Sequence, residues 1–278
     1  MNKTQKNILD IVEYLIVFIL IMYVVDSLVN AGSMLSRGYS MGDVWKVLQH
    51  GALDSDSVTI IVSSVISSVL TIAWFAWRKW TPLSRGYVAS RPWTALVWVA
   101  LLTIGTILPS LWLQDQFNFS MPSSTMKLLA GVMSQPVGYL AVGVLAPVAE
   151  EMVFRGAILR TLLKLFDNRW HWIAILISAL LFGLIHGNDA QFVHALLIGL
   201  LLGWTYYRTD SIIPGIVLHW VNNTVTYVAF NLMPGIQDMK FIDLCQGSHT
   251  KMLIYLGSSL CILLPSLFQL SFRLKKNN

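Results

Sequence analysis

Charged side chains are scarce in this sequence of 278 residues. Asp, Glu, Lys and Arg together make up 12% of the chain, whereas a soluble domain contains about 25%. So few charges cannot cover the surface of a soluble globule of this size. A disordered chain is also excluded, because it needs low hydrophobicity and high charge, and 55% of these residues are hydrophobic. The composition therefore indicates a polytopic membrane protein.

Cysteine and clustered positive charge are lacking as well. The two cysteines, Cys245 and Cys261, are too few for a disulfide framework or a CxxC metal site. The net charge is +5, yet no run of Lys and Arg interleaves with aromatic residues, and the positive residues lie at the edges of apolar segments. This distribution is typical of a membrane protein and argues against a nucleic-acid partner.

Eight apolar segments are candidate membrane spans, each of which needs roughly 20 mostly apolar residues. They are Ile8–Val29, Val58–Trp77, Trp93–Leu113, Met133–Leu163, Trp172–His186, Phe192–Tyr207, Ile212–Leu232 and Met252–Phe272. The fourth is long enough to tilt or break, and the longest loops cover residues 31–57, 114–132 and 233–251. We therefore predict an all-α polytopic membrane helix bundle of about eight transmembrane helices, with residues 1–278 forming a single integral membrane domain.

The orientation follows from the basic residues. With the N-terminus inside, thirteen of the 19 Lys and Arg residues fall on the cytoplasmic side and five outside, and Arg155 lies within the fourth span. Because cytoplasmic loops carry an excess of Lys and Arg, both termini are predicted to be cytoplasmic. The first segment resembles a secretory signal, but Asp10, Glu13 and its length favour an uncleaved anchor.

Polar and ionisable residues inside the predicted spans mark a candidate functional site, because charges at membrane depth are expensive. They lie between residues 133 and 232, the predicted catalytic core helices, and comprise Glu150, Glu151, Arg155, His186, His194, His219 and Asn223. Counting along the helices puts His219 and His186 at different depths. A short or tilted fifth helix, or a helix that begins deeper in the membrane, would bring them level.

The two glutamates differ in their expected surroundings. Glu151 and Arg155 are four residues apart, so they share one helix face and can neutralise each other. Glu150 points about 100° away and has no obvious local partner, so it must find a remote partner or hold a proton. A carboxyl group in that situation can act as a general base or acid. The alternative is one buried ion network that fixes helix packing.

The histidines also allow two interpretations each. His186 ends an apolar segment beside polar residues 187–189, so it is either a capping histidine or a functional one. His219 and Asn223 lie side by side on one helix face, where interhelical hydrogen bonding is the alternative to catalysis. For His194, a packing hydrogen bond is the alternative to a catalytic role.

Together, a glutamate, two histidines and an asparagine supply the groups that hydrolyse a peptide bond, namely a base for water and donors for the developing oxyanion. No Gly-x-Ser-x-Gly elbow or Ser–Lys dyad indicates a covalent route. We predict that no cofactor is needed. Zinc bound by Glu150, His186 and His219 is the alternative, since two His and one Glu form a catalytic zinc set, although no His-Glu-x-x-His motif occurs.

Three motifs carry a resemblance to a known family. In order along successive apolar segments they are Glu150-Glu151-x-x-x-Arg155, Phe182-x-x-x-His186 and His219-x-x-x-Asn223. They resemble the motifs of the CPBP family, the CAAX-protease and bacteriocin-processing membrane proteins that include type II CAAX prenyl endopeptidases. The linking stretch also looks typical, with Gly199, Gly203 and Ile213-Pro214-Gly215.

The resemblance implies an eight-helix intramembrane endopeptidase of the glutamate type, and for a relative with these short loops we expect a bacterial plasma membrane location. By that match Glu150 activates water with help from His186, His219 and Asn223 stabilise the oxyanion, and Glu151 and Arg155 hold the site together. The family includes proteins labelled metalloproteases, so the zinc alternative stays open.

The leading hypothesis is therefore an endopeptidase in the lipid bilayer that cleaves a small lipidated, prenylated or amphipathic peptide or protein. One alternative is a non-catalytic partner on the same fold, such as a bacteriocin self-immunity protein or a membrane regulator of a sensor kinase. Another is a transporter that uses the carboxylates as proton carriers, although no convincing internal repeat supports it. An activity that survives the loss of Glu150 would favour the non-catalytic partner.

Overall fold

The computed structural model describes residues 2–50, 56–117, 121–166, 168–233, 235–236 and 239–274. These residues contain helices and no strand. The helices are α1 Lys3–Ser36, α2 Met41–His50, α3 Ser57–Trp77, α4 Arg85–Ala89, α5 Trp93–Gln116, α6 Ser123–Met133, α7 Pro136–Leu165, α8 His171–Leu184, α9 Asp189–Thr209, α10 Ile213–Leu232, α11 Phe241–Leu244 and α12 His249–Arg273. The predicted all-α membrane fold is confirmed. Lys275 and Lys276, which contributed to the predicted orientation, lie outside the described residues.

Helices occupy all eight predicted spans. Over the described ranges, six of them are long and apolar enough to cross a membrane, namely α1, α3, α5, α7, α9 and α12. Helix α8 is apolar but shorter, with its apolar stretch at Asn168–Leu184, and α10 is 20 residues long but includes His219, Asn222 and Asn223. The count of eight spans and the cytoplasmic termini therefore stay predictions.

Three short helices lie within stretches predicted to be loops. They are α2 within residues 31–57, α11 within 233–251, and α6, which lies within 114–132 except for its last residue, Met133. Helix α1 is also longer than predicted, because it continues to Ser36. A membrane span needs about 20 mostly apolar residues. These short helices do not meet that requirement, so the apolar pattern did not predict them.

Helix α7 lies at the centre of the bundle, in contact with α1, α3, α8, α9 and α10. Its residues from 152 to 159 are all buried. A helix that is hydrophobic on every side is typical of the middle of a protein. The residues that follow Glu151 therefore form the core against which the other helices pack.

The length of the fourth span allowed a break, but α7 is continuous and contains two π-helical segments. Tyr139–Leu145 and Met152–Leu159 are π-helical, and the α-helical turn Ala146–Glu151 lies between them. Side chains from neighbouring segments bond the carbonyl groups of the second π-helical segment, since the Thr81 hydroxyl donates to the Met152 carbonyl at 2.5 Å and the Ser178 hydroxyl to the Phe154 carbonyl at 3.0 Å. Such π-helical insertions are frequent at functional sites, and here they flank both glutamates.

Glycines allow α8 and α9 to approach closely. A Cβ atom added to Gly203 would lie 2.7 Å from the Ile175 side chain, and one added to Gly199 would lie 3.0 Å from Ala179. Small residues at helix contacts are typical of membrane proteins, where association depends on close packing.

Helix α10 begins inside the bundle. Ser211, Ile212 and Gly215 are all buried at its start. This burial shows that the start of α10 packs against its neighbours, while the relative depths of His219 and His186 in the membrane stay a prediction.

Candidate active site

Glu151 and Arg155 form the ion pair predicted from their spacing. Arg155 Nη1 lies 2.9 Å from Glu151 Oε1, and both side chains are fully buried. The guanidinium group has two further contacts, since Nη2 donates to the Gly199 carbonyl at 3.3 Å and Cζ lies 4.4 Å from the centre of the Phe182 ring. A buried ion pair requires such additional contacts to offset its desolvation.

Gly215 allows α10 to reach this ion pair. A Cβ atom at this position would lie 2.5 Å from Glu151 Oε2, a distance that real Cβ atoms essentially never have. The residue after Pro214 must therefore be glycine for α10 to pack against the glutamate. From the sequence, this Pro-Gly pair was typical of the resembled family but had no predicted contact.

His219 lies between the two glutamates. Its Nε2 atom is 3.7 Å from Glu150 Oε2, and its Nδ1 atom is 3.4 Å from Glu151 Oε1. The Glu150 side chain is 20% exposed and that of Glu151 is 0% exposed. His219 is thus the remote partner that Glu150 needed, and Glu150 is the carboxylate that molecules outside the core can reach.

Several buried atoms of this cluster have no hydrogen-bond partner within the described residues. They are Glu151 Oε2, Arg155 Nε and His219 Nδ1. His219 Nδ1 is near Glu151 Oε1, but it is not aligned for a hydrogen bond, and alignment decides bond strength at 3.4 Å. Unpaired buried polar groups cost stability, so their concentration around one histidine indicates a functional site.

Phe182 is an apolar contact that His186 and His219 share. Its buried ring lies 5.1 Å from the ring centre of His186 and 5.7 Å from that of His219, edge-on to both. It also lies beneath the Arg155 guanidinium. No role of its own was predicted for Phe182, and the signal for it was its position four residues before His186 in the second motif.

His186 lies in the turn that follows α8, which ends at Leu184. Its Nδ1 atom is 2.8 Å from the Phe182 carbonyl, so Nδ1 carries the proton and donates, and Nε2 is left as an acceptor. No hydrogen bond or ion pair joins His186 to Glu150 within the described residues. The structure therefore brings His219, and not His186, into direct contact with Glu150.

Asn223 is held by its neighbours on both sides of its amide. Its Nδ2 atom donates to the Val142 carbonyl at 2.8 Å, and its Oδ1 atom accepts from Asn222 Nδ2 at 3.1 Å. Val142 belongs to the first π-helical segment of α7, so Asn223 ties α10 to that segment. Asn222 was not among the predicted site residues, and its position beside Asn223 was the only signal for it.

The alternative zinc set does not fit this arrangement. Among the described residues, no three His, Cys, Asp or Glu side chains are grouped so that they could hold a metal ion. Glu150 and His219 are neighbours, but His186 does not join them within hydrogen-bond or ion-pair distance. We therefore assign no step to a metal.

A cavity of about 560 Å³ lies next to the site, between α5, α6, α9, α10 and α11. This volume is in the range of small-molecule sites. Most of its wall is apolar, including Met126, Leu201 and Phe230, whereas His194 and Asn222 contribute polar groups. The cavity is thus lined by Asn222, which bonds Asn223 of the third motif.

Residues 132–225 match the family model described as type II CAAX prenyl endopeptidase Rce1-like. The family resemblance is confirmed. The Rce1-like segment contains all three motifs and every predicted site residue, and it supports CAAX-type endopeptidase activity in an integral membrane protein. Comparisons with curated proteins and with solved structures gave no match.

Proposed function

We propose that the protein is an intramembrane endopeptidase that hydrolyses a peptide bond with water activated by Glu150. The observation that carries this proposal is the position of Glu150. It is a partly exposed carboxylate beside His219, next to a second carboxylate whose charge is already balanced by Arg155. The match of this segment to Rce1-like endopeptidases supports the same activity.

In the proposed reaction, Glu150 removes a proton from water as the water oxygen bonds to the carbonyl carbon of the substrate. The Nε2 atom of His186 can accept a hydrogen bond from that water, because its Nδ1 atom already donates to the Phe182 carbonyl. The tetrahedral intermediate then breaks its C–N bond, and the proton held by Glu150 passes to the leaving amine.

We propose that His219 and Asn223 stabilise the oxyanion. His219 lies beside Glu150, with Nε2 3.7 Å from Glu150 Oε2, so it is close to the carboxylate that would activate the water. Asn223 uses one N–H bond for the Val142 carbonyl, which leaves its second N–H bond for the oxyanion. Fixed donors of this kind contribute strongly to catalysis because they need no reorganisation during the reaction.

We propose that the substrate is a small lipidated, prenylated or amphipathic peptide or protein of the membrane, and that this membrane is a bacterial plasma membrane. The apolar wall of the 560 Å³ cavity supports this class, because such a wall cannot replace the water bound to a charged peptide. The bilayer also delivers amphipathic substrates to a site among transmembrane helices.

The test is hydrolysis of a peptide panel by the purified protein in lipid vesicles. The panel contains prenylated, acylated and plain amphipathic peptides together with charged soluble peptides, and mass spectrometry identifies the products. We expect cleavage at a single bond in membrane-associated peptides and none in the soluble ones. Equal cleavage of both classes would contradict the proposed substrate class.

A further inference from the structure

A chain of polar contacts leads from α5 across α9 to Asn223. His194 Nδ1 lies 3.5 Å from Ser110 Oγ and 3.5 Å from Gln114 Nε2, His194 Nε2 lies 3.3 Å from Asn222 Nδ2, and Asn222 Nδ2 donates to Asn223 Oδ1 at 3.1 Å. All five side chains belong to helices that are apolar over most of their length. None of these contacts involves Glu150.

The contacts decide which way the Asn223 amide faces. The oxygen and nitrogen of an amide have nearly the same shape, so their hydrogen-bond partners determine the orientation. In the observed orientation Nδ2 faces the Val142 carbonyl and Oδ1 faces the Asn222 amide. The reversed orientation would place Oδ1 against the Val142 carbonyl oxygen and remove the N–H donor from the oxyanion.

Asn222 can hold Asn223 only if its own amide is fixed. Its Nδ2 atom has two N–H bonds, of which one is used for Asn223 Oδ1 and the other points to His194 Nε2. His194 must therefore present a lone pair at Nε2 and carry its proton at Nδ1, from which it donates a hydrogen bond to the Ser110 hydroxyl oxygen. Gln114 Nε2 is itself a donor, so its hydrogen bond goes to the Ser110 carbonyl at 3.1 Å and not to His194 Nδ1. The tautomer of His194 thus sets the orientation of Asn222.

We propose that His194 and Asn222 are positioning residues that orient the Asn223 amide toward the oxyanion. This inference rests on the proposed function. It differs from the two roles predicted for His194, a packing hydrogen bond and a catalytic role, because His194 would act through Asn222. Because an oxyanion forms only after the attack of water, loss of the positioning residues will lower kcat and leave KM nearly unchanged.

The first experiment compares kinetic constants of His194 variants. For His194→Phe we expect a fall in kcat of about 10- to 100-fold, less than for complete loss of an oxyanion donor, with KM changed by less than about twofold. His194→Gln keeps an acceptor for Asn222, and we expect its kcat within about threefold of the parent. Thr103→Val is the matched control, because it removes a buried hydroxyl group of α5 that donates to the Val99 carbonyl of the same helix and lies outside the cavity lining.

A double-mutant cycle separates positioning from a merely structural role. If His194 acts through Asn222, the variant with both His194→Phe and Asn222→Ala will have the kcat of Asn222→Ala alone. Losses that multiply, or a His194→Phe protein with the kcat of the parent, would overturn the proposal. If instead Glu150→Gln cleaves as fast as the parent, the proposed function fails.

A spectroscopic measurement tests the same proposal without relying on activity. In protein labelled with ¹⁵N-asparagine, Asn223→Ala identifies the side-chain amide signals of Asn223. We expect His194→Phe to shift these signals, and Thr103→Val to leave them in place. Unshifted signals in His194→Phe would show that the Asn223 amide does not depend on His194.

Discussion

Replacement of Glu150 by glutamine is expected to lower the rate of peptide hydrolysis by about 10²- to 10⁴-fold, the usual contribution of a general base. Glutamine keeps the shape of the side chain and can still contact His219, but it cannot accept a proton from water. Because Glu150 is partly exposed and is not a member of the Glu151–Arg155 ion pair, the variant is expected to fold. Rates are measured on a peptide that the parent protein cleaves.

The control for this experiment is Glu13→Gln. Glu13 lies 3.6 Å from Arg78 in an exposed ion pair, so the change removes one carboxylate without affecting the site. We expect this variant to cleave as fast as the parent. A biological effect of the protein that persists in Glu150→Gln would favour the non-catalytic immunity protein or sensor-kinase regulator over the endopeptidase.

Replacement of Arg155 by methionine is expected to lower the free energy of unfolding by about 3–5 kcal/mol, because it leaves the fully buried Glu151 carboxylate without its partner. Methionine fills much of the same space, so the loss reflects charge more than packing. The measurement is equilibrium unfolding of the parent and the variant in mixed detergent micelles. A variant as stable as the parent would contradict the proposed supporting role of the ion pair.

Two further variants identify the cause of this loss. Arg78→Met breaks an ion pair in which both side chains are nearly half exposed, and such pairs contribute at most about 1 kcal/mol. When Glu151→Gln is added to Arg155→Met, the uncompensated charge is removed, and we expect part of the stability to return. No recovery in the double variant would indicate that the packing of Arg155 against Phe182 is the larger contribution.

The helices and the ion pair could be predicted because both depend on local spacing. Apolar length locates the spans, and two residues four apart on a helix meet wherever the helix packs. The contact between Glu150 and His219 depends on how α7 and α10 pack, and nothing in the spacing chose His219 over His186 as the neighbour of Glu150. In the structure, the buried start of α10 and the lack of a Cβ atom at Gly215 allow α10 to pack closely against α7, and this packing brings His219 next to Glu150.

The π-helical segments of α7 could not be predicted from local sequence patterns, because they also depend on contacts between helices. A π-helical segment is stabilised by partners such as Thr81 and Ser178, which are distant in sequence from the carbonyl groups they bond. The role inferred for His194 likewise depends on Asn222 lying beside it, and that contact joins two helices. The sequence pattern along one helix identifies its polar residues, whereas the packing of the helices determines which hydrogen-bond partners these residues meet.

The most direct test of the central claim is hydrolysis of one peptide by the parent protein and by Glu150→Gln, each with and without exhaustive chelation. A metal-free reaction at Glu150 predicts cleavage by the parent in both conditions and at most a trace by the variant in either. Loss of the parent's activity on chelation, with recovery on addition of zinc, would contradict the metal-free mechanism and favour zinc bound by Glu150, His186 and His219. Equal cleavage by the parent and the variant would contradict the role of Glu150 itself.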